Sequence, residues 1–394
     1  MEIKNIVSEI EEEMIRVRRH LHRNPELSMK EYNTTQFVLD YLKDTSVELS
    51  VINDDIGVVG VLRGKKEGKT IGLRGDMDAL PILEQTGLDF SSEVEGSMHA
   101  CGHDLHTTVL LGTAIVLDRL KDELEGQVKF IFQPGEEVMK GAKFVIENGV
   151  LSNEPKVDKI VCLHTWPLVD AGKIGVRHGP IMAATDTFEI EVSGSGGHAA
   201  HPHIATDPIP VASQLVSSLQ NIVSRQISPL NSAVLTLGQI HGGNADNIIA
   251  NKVTLSGSIR TLDYETRDKM QESIELMADH VAKANHTDAK VTFHPGSPPV
   301  INDDELVDIM IESTTAELGE EGLAYLPDPS LGGEDFSFYL QETEGMLFRI
   351  GTRNDQEQST RSLHNPGIIF DEKAIPAGIT AMSAFAINYL KKDK

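Results

Sequence analysis

The sequence of 394 residues predicts an α/β protein, a mixed, largely parallel sheet flanked by helices and interrupted by an inserted ferredoxin-like α+β domain. Three observations lead there. Apolar strand-like runs alternate with helical patterns through the first 164 residues. Runs such as KIVCL are apolar on both faces, as in a sheet covered on two sides. Beyond residues 181–186 the pattern becomes FEIEVS, apolar and polar in turn, which suits an antiparallel strand with one face in water.

Taken in order, helical spacing covers residues 5–22 and 29–43, followed by the strand-like runs VELSVI, IGVVGVL and TIGLRGDMD. A helix through 109–120 precedes the strand QVKFIFQ, which runs into PGEE; FVIENGV reads as a helix and DKIVCLH as another strand. FEIEVSGSG, a helix at 206–225, SAVLTLGQI, KVTLSGSIRT, a helix at 264–284 and AKVTFH then give the order β-α-β-β-α-β of a ferredoxin-like domain. After PGSPP the chain returns to helix and strand and ends in a helix at 373–391. The expected organisation is a catalytic domain in two parts, residues 1–183 and 296–394, around an inserted domain at 184–295.

A net charge of −25 and a pI near 4.9 repel phosphate backbones and anionic lipid, so nucleic acid and membrane are poor partners. Two cysteines in the whole chain read as thiols in a reducing compartment. The N-terminus, MEIKNIVSEIEEEMIRVRRHLHR, is a charged amphipathic helix and not a signal peptide with an apolar stretch. The longest apolar run, VLLGTAIVL, is too short to span a bilayer. A cytoplasmic location is expected.

The segment MHACGHDLH places Cys101 between histidines, in surroundings unlike those of a core thiol. Cys101, His103, Glu137, His164 and His364 all follow or flank strands of the same sheet, and all are competent metal ligands. In such sheets ligands bind beyond the carboxyl ends of the strands. QPGEE adds paired carboxylates at a strand end, where one can ligate an ion and its neighbour can act as a general base. There is no second cysteine pair for a zinc finger, and the zinc-deaminase pattern is missing. His20 and His22 read as structural, Cys162 as a core residue, and Asp104 as the cap of the following helix.

LRGDMDALPI, MHACGHDLHTT, FIFQPGEE, GSGGHAAHPH, GGEDFSFY and LHNP occur in the order found in the hippurate hydrolase and auxin-conjugate amidohydrolase family, which the chain resembles over almost its whole length. That family consists of dinuclear metallo-amidohydrolases of the aminoacylase and carboxypeptidase clan. The resemblance implies that Cys101, His103, Glu137, His164 and His364 bind two divalent ions, and that Glu136 is the catalytic base. It implies that Asp78 orients a ligating histidine, that His198 reaches a neighbouring subunit's active site, and that Asn247 and Arg260 bind substrate. A homodimer through the inserted domain, acting as lid and dimerisation element, follows from the same likeness. Related families usually carry a bridging aspartate at the position of Cys101; a thiolate suits zinc, whereas similar proteins are often manganese enzymes, so manganese is favoured and zinc is the alternative.

The implied reaction is metal-dependent hydrolysis of an N-acyl-L-amino acid, releasing a carboxylic acid and a free amino acid. A dipeptidase or small-peptide carboxypeptidase, or an N-acetyl-diaminopimelate deacetylase, are the alternatives within the clan. Outside enzymes the rival is a metal-dependent binding protein with an inactive site, against which the intact Glu136 and full ligand set argue.

Overall fold

A computed structural model describes residues 2–392. They fall into two compact units, one formed by Met1–Gly179, Asn302–Asp328 and Asp335–Lys394, the other by Pro180–Ile301 and Pro329–Glu334. The first begins with α1 (Glu2–Arg23), α2 (Tyr32–Leu42), β1 (Glu48–Asn53), β2 (Ile56–Arg63), β3 (Lys66–Asp76), α3 (His103–Arg119), β4 (Glu125–Gln133), α4 (Gly141–Glu147), β5 (Lys159–Asp170) and β6 (Ile174–Val176). After β7 (Gly179–Met182) come β8 (Ala184–Ser193), β9 (Gly197–His198), α5 (Pro208–Asn221), β10 (Ala233–Gly242), β11 (Ile248–Ile249), β12 (Lys252–Thr261), α6 (Tyr264–Ala284) and β13 (Asp288–His294). The chain then returns through β14 (Val300–Asn302) to α7 (Asp304–Leu318), β15 (Leu323–Tyr325), α8 (Phe336–Tyr339), β16 (Gly345–Arg353) and α9 (Ala374–Lys391).

Eight strands of the first unit form one sheet in the order β1-β2-β4-β3-β5-β16-β6-β15. Its centre, β4-β3-β5-β16, is parallel, and the β1-β2 hairpin adds an antiparallel edge. Successive side chains of a strand point to opposite faces. Val128, Phe130 and Phe132 of β4 join the core formed with α1, α3 and α9, yet Lys129 and Ile131 between them are equally buried. Both faces are therefore covered, and the class read from the sequence, a largely parallel sheet with helices, is the one observed. α1 contributes Ile3, Ile6, Val7, Ile10, Met14, Val17 and Leu21, the spacing of one helical face. α3 is buried almost all round, as a helix packed against α1, α9 and β3 must be.

In the second unit an antiparallel sheet runs in the order β10-β12-β8-β13. Phe188, Ile190 and Val192 of β8 face α5 and α6, while the residues between them lie more open. Asp207 and Asp263 cap α5 and α6 by accepting the amides of Ile209 and Thr266.

Among the boundaries that differ from the sequence reading, two have a local cause. The helix expected at 109–120 starts at His103, because its first turn is polar although buried, and apolar periodicity cannot register such a turn. The helix expected from residue 29 starts at Tyr32, because Met29 adopts φ +62° and breaks the run.

Asp186, only 1% exposed, is held by both nitrogens of the Arg267 fork at 2.7 Å and by the Gly296 amide at 3.1 Å. Removing the arginine leaves a buried charge without its partner. Arg267→Ala should destabilise the second unit by about 3 kcal/mol in urea unfolding, the low end for a broken buried pair; a loss near zero would show that water replaces the fork.

Candidate metal centre

The side chains in question sit where the parallel strands end. Asp76 is the last residue of β3, and Asp78 follows two positions later. Glu136 and Glu137 follow β4, and His164 lies two residues past Cys162, where β5 stops pairing with β3. Cys101 and His103 lie at the entry to α3, and His364 in the segment between β16 and α9. Gly102 makes that entry possible: its φ is +84°, and a methyl there would stand 2.7 Å from Thr165 Cγ2. Thr165 Oγ1 donates to the Cys101 carbonyl at 2.7 Å, locking the loop to β5. His364 also has a left-handed backbone, φ +67°, and its amide donates to Ala100 O at 3.0 Å.

The donor atoms form overlapping sets. Those of Cys101, His103 and His164 lie within 4.8 Å of one another, as do those of Cys101, Glu137 and His364. Glu136 joins His103 and Glu137 in a third such group. Cys101 belongs to both of the first two groups, so its thiolate could be shared between ions held there. The sulfur lies 3.5 Å from His164 Nε2, and His364 Nε2 lies 3.3 Å from Glu137 Oε1.

Hydrogen bonds decide which ring nitrogens keep a lone pair. His164 Nδ1 donates to the Thr165 carbonyl at 2.8 Å, leaving Nε2 toward Cys101. His103 Nδ1 donates to Asp78 Oδ1 at 3.2 Å, leaving Nε2 available. His106, three residues on, is different: Nε2 accepts the Thr165 amide at 2.8 Å, so Nδ1 carries the hydrogen given to Asp76 at 2.5 Å. Both its nitrogens are engaged, and it is a support and not a ligand.

The field of the centre favours a cation. Burial opposes charge on His103, but Asp76, Asp78 and Glu137 outweigh it and push its pKa up to about 10, so without metal Nε2 holds a proton that a bound cation would displace. Burial, then the Arg349 charge, hold His164 well below the usual histidine range, so its ring is neutral. Burial raises Asp78, but the bond from His103 and the other donors prevail and bring it below the usual carboxylate range. His103 Nε2 and Glu137 Oε1, 3.9 Å apart, are buried with no hydrogen-bond partner. An unsatisfied buried polar atom costs about 1–3 kcal/mol, and a bound cation would satisfy both atoms together. The residues fit divalent metal.

The first unit thus brings together Cys101, His103, Glu136, Glu137, His164, His364 and Asp78. In the second unit, β9 pairs with β11, setting exposed His198 opposite Ile248 and beside Asn247, whose carbonyl accepts the Ala199 amide at 3.1 Å. Arg260 is elsewhere, on β12 opposite Val234 and Thr185. Asp104 is not a helix cap: Gly102 holds that position, and the Asp104 carboxylate instead meets Arg18 Nε and His22 Nδ1, each at 2.8 Å. His22 is part of this buried network, and His20 stacks on Phe37. Cys162 is fully buried on β5, as expected.

Sequence reasoning missed the support around Asp76. Arg74 donates to Asp76 at 2.5 Å, to Gln133 at 2.9 Å and to Asp335 at 2.8 Å, and the Asp335 amide donates to Glu136 Oε1 at 3.4 Å. The one available signal was HDLH, whose histidines lie three apart on one helical face. Asp78→Ala, which removes the acceptor of His103, should weaken metal binding about 10- to 100-fold in a calorimetric titration of the apo-protein. Unchanged affinity would show that the ring holds its orientation without Asp78.

Residues 72–388 match peptidase family M20/M25/M40. An N-acetyl-L-cysteine deacetylase of Bacillus subtilis is 40% identical over 370 residues, covering 94% of this chain and 86% of that protein. Thermostable carboxypeptidase 2 of Saccharolobus solfataricus is 38% identical over 397 residues, covering 99% and 98%. The crystal structure of the Bacillus subtilis YxeP protein, a dinuclear metal-binding peptidase of family M20, superposes with a TM-score of 0.86 at 34% identity, covering 98% of this chain and 99% of that one. The chain belongs to peptidase family M20/M25/M40 and is a metallo-amidohydrolase.

Proposed function

We propose that this protein hydrolyses N-acyl-L-amino acids, releasing a carboxylic acid and a free amino acid. The observation that carries the reading is the adjacent pair of glutamates. The Glu137 carboxylate lies among the metal donors, while Glu136, 5% exposed, stands beside it within the same cluster. Two divalent ions, with manganese proposed and zinc second, would polarise the scissile carbonyl and make water a stronger acid. Glu136 takes the proton of the attacking water and delivers it to the departing nitrogen. Asp78 holds His103 and the two glutamates in place through its hydrogen bonds.

Arg260 is the proposed clamp for the substrate carboxylate, since a planar guanidinium matches it with two parallel bonds. His198 is the proposed oxyanion donor, and its tautomer suits that role: Nδ1 accepts the Ala200 amide at 3.1 Å, which leaves the hydrogen on Nε2. The β12 strand separates the two. Asn247 lies by its Lys252 end, and Arg260 is eight residues further, about 26 Å at strand rise. One site cannot use both ends of the same sheet, which supports a homodimer in which His198 and Asn247 serve the partner's centre. A thiolate ligand calls for a reducing compartment, and we place the protein in the cytoplasm. The described residues contain no helix long and apolar enough to cross a membrane.

Cleavage of a small peptide at its C-terminal residue is the second reading, favoured by the carboxypeptidase relative. Both substrates present an amide next to a carboxylate-bearing residue. A screen of acetyl-, benzoyl- and aminoacyl-amino acids in manganese and zinc buffers separates them, and turnover of the peptides alone would overturn the first reading. Glu136→Gln should lower kcat at least ~100-fold with metal retained, whereas Glu137→Gln should lose metal. Exchanged phenotypes would reverse the assignment.

A mixture of His198→Ala and Glu136→Gln subunits, each inactive alone, should regain activity after subunit exchange, because one site of the heterodimer has both groups. If heterodimers form and stay silent, His198 does not act across the dimer.

A further inference from the structure

Three consecutive amides of the turn after β4 each end on a buried carboxylate. Glu136 N and Glu137 N donate to Asp78 at 3.1 and 3.0 Å, and Gly135 N donates to Glu31 Oε1 at 2.7 Å. The same Glu31 oxygen accepts the Met29 amide at 3.0 Å. Glu31 precedes α2 in the capping position, yet its side chain makes no cap bond there. The carboxyl is turned away from its own helix toward a turn 104 residues further along the chain.

The two segments are fitted to each other. Met29 has φ +62° and Gly135 φ +67°, and a methyl on Gly135 would stand 2.4 Å from Met29 Sδ. Glu31 is wholly buried, and its Oε2 has no hydrogen-bond partner. Burial, then the Asp78 charge, push its carboxyl up to about 8, so that it is largely uncharged at neutral pH. An uncharged carboxyl still accepts two amides, and the turn is gripped by two acids without two charges side by side.

We propose that Glu31 is a positioning residue for hydrolysis: with Asp78 it fixes the 135–137 turn so that Glu136 and Glu137 keep their separate places. This rests on the reading of Glu136 as base and Glu137 as ligand. Its role requires an acceptor at Oε1 that reaches both amides, which is a demand that glutamine meets.

The test compares Glu31→Ala with Glu31→Gln. The alanine variant should lose about 10- to 100-fold in kcat and in manganese affinity with KM unchanged. In its metal-free form the amides of residues 135–137 should exchange hydrogen faster. The glutamine variant should restore all three quantities to near the parent values. Parent-like exchange and kcat in Glu31→Ala would overturn the proposal, as would a glutamine variant as impaired as the alanine one. If Glu31→Ala fails to fold, Glu31→Asp, too short to reach both amides, is measured in its place against the same criteria. Glu136→Gln run alongside separates the two claims. Turnover retained there removes the base reading, whereas turnover lost there beside an unaffected Glu31→Ala removes only the role of Glu31.

Discussion

The centre depends on one carboxylate. Asp78 accepts the Ser28 hydroxyl at 2.6 Å, His103 Nδ1 at 3.2 Å and the amides of Glu136 and Glu137 at 3.1 and 3.0 Å. Those four donors come from three separate stretches of chain, so the acid ties the α1–α2 connection, the entry to α3 and the turn after β4 to a single point. It also selects the ring tautomer that leaves His103 Nε2 available. A buried carboxylate is tolerable only when its acceptor capacity is used, and here the donors more than offset burial.

Around this point the interior holds far more charge than an ordinary core. Arg74, wholly buried, bonds Asp76, Gln133 and Asp335, and Asp335 is further held by the Ala142 amide at 2.8 Å. A second buried group joins Arg18, His22 and Asp104 directly behind His103. Both put a buried arginine against acids. They tie β3, β4 and the first turn of α3 to their surroundings.

The second unit has a plainer construction: one sheet face on two helices and the other open. Its functional candidates lie at opposite ends of β12, and that separation comes from strand length alone. A strand of ten residues cannot bring its ends together.

Much was legible in the sequence because it depends on local pattern. Strand and helix periods identified the α/β sheet and the antiparallel insert, and GDMD, ACGHD, QPGEE and LHNP mark strand ends and loops where ligands collect. The identity of the donor atoms is likewise written in residue type. Tertiary structure decided how those residues divide the work. His103 and His106 are alike in sequence, yet one has its Nε2 left for a cation while the other's Nε2 accepts the Thr165 amide, 59 residues away. Asp104 looks like a cap and is an ion-pair partner of α1. Glu31, unremarked in the sequence, reaches a turn that no spacing rule connects to it. Local pattern is set by the neighbours along the chain, whereas tautomer, burial and charge are set by neighbours in space.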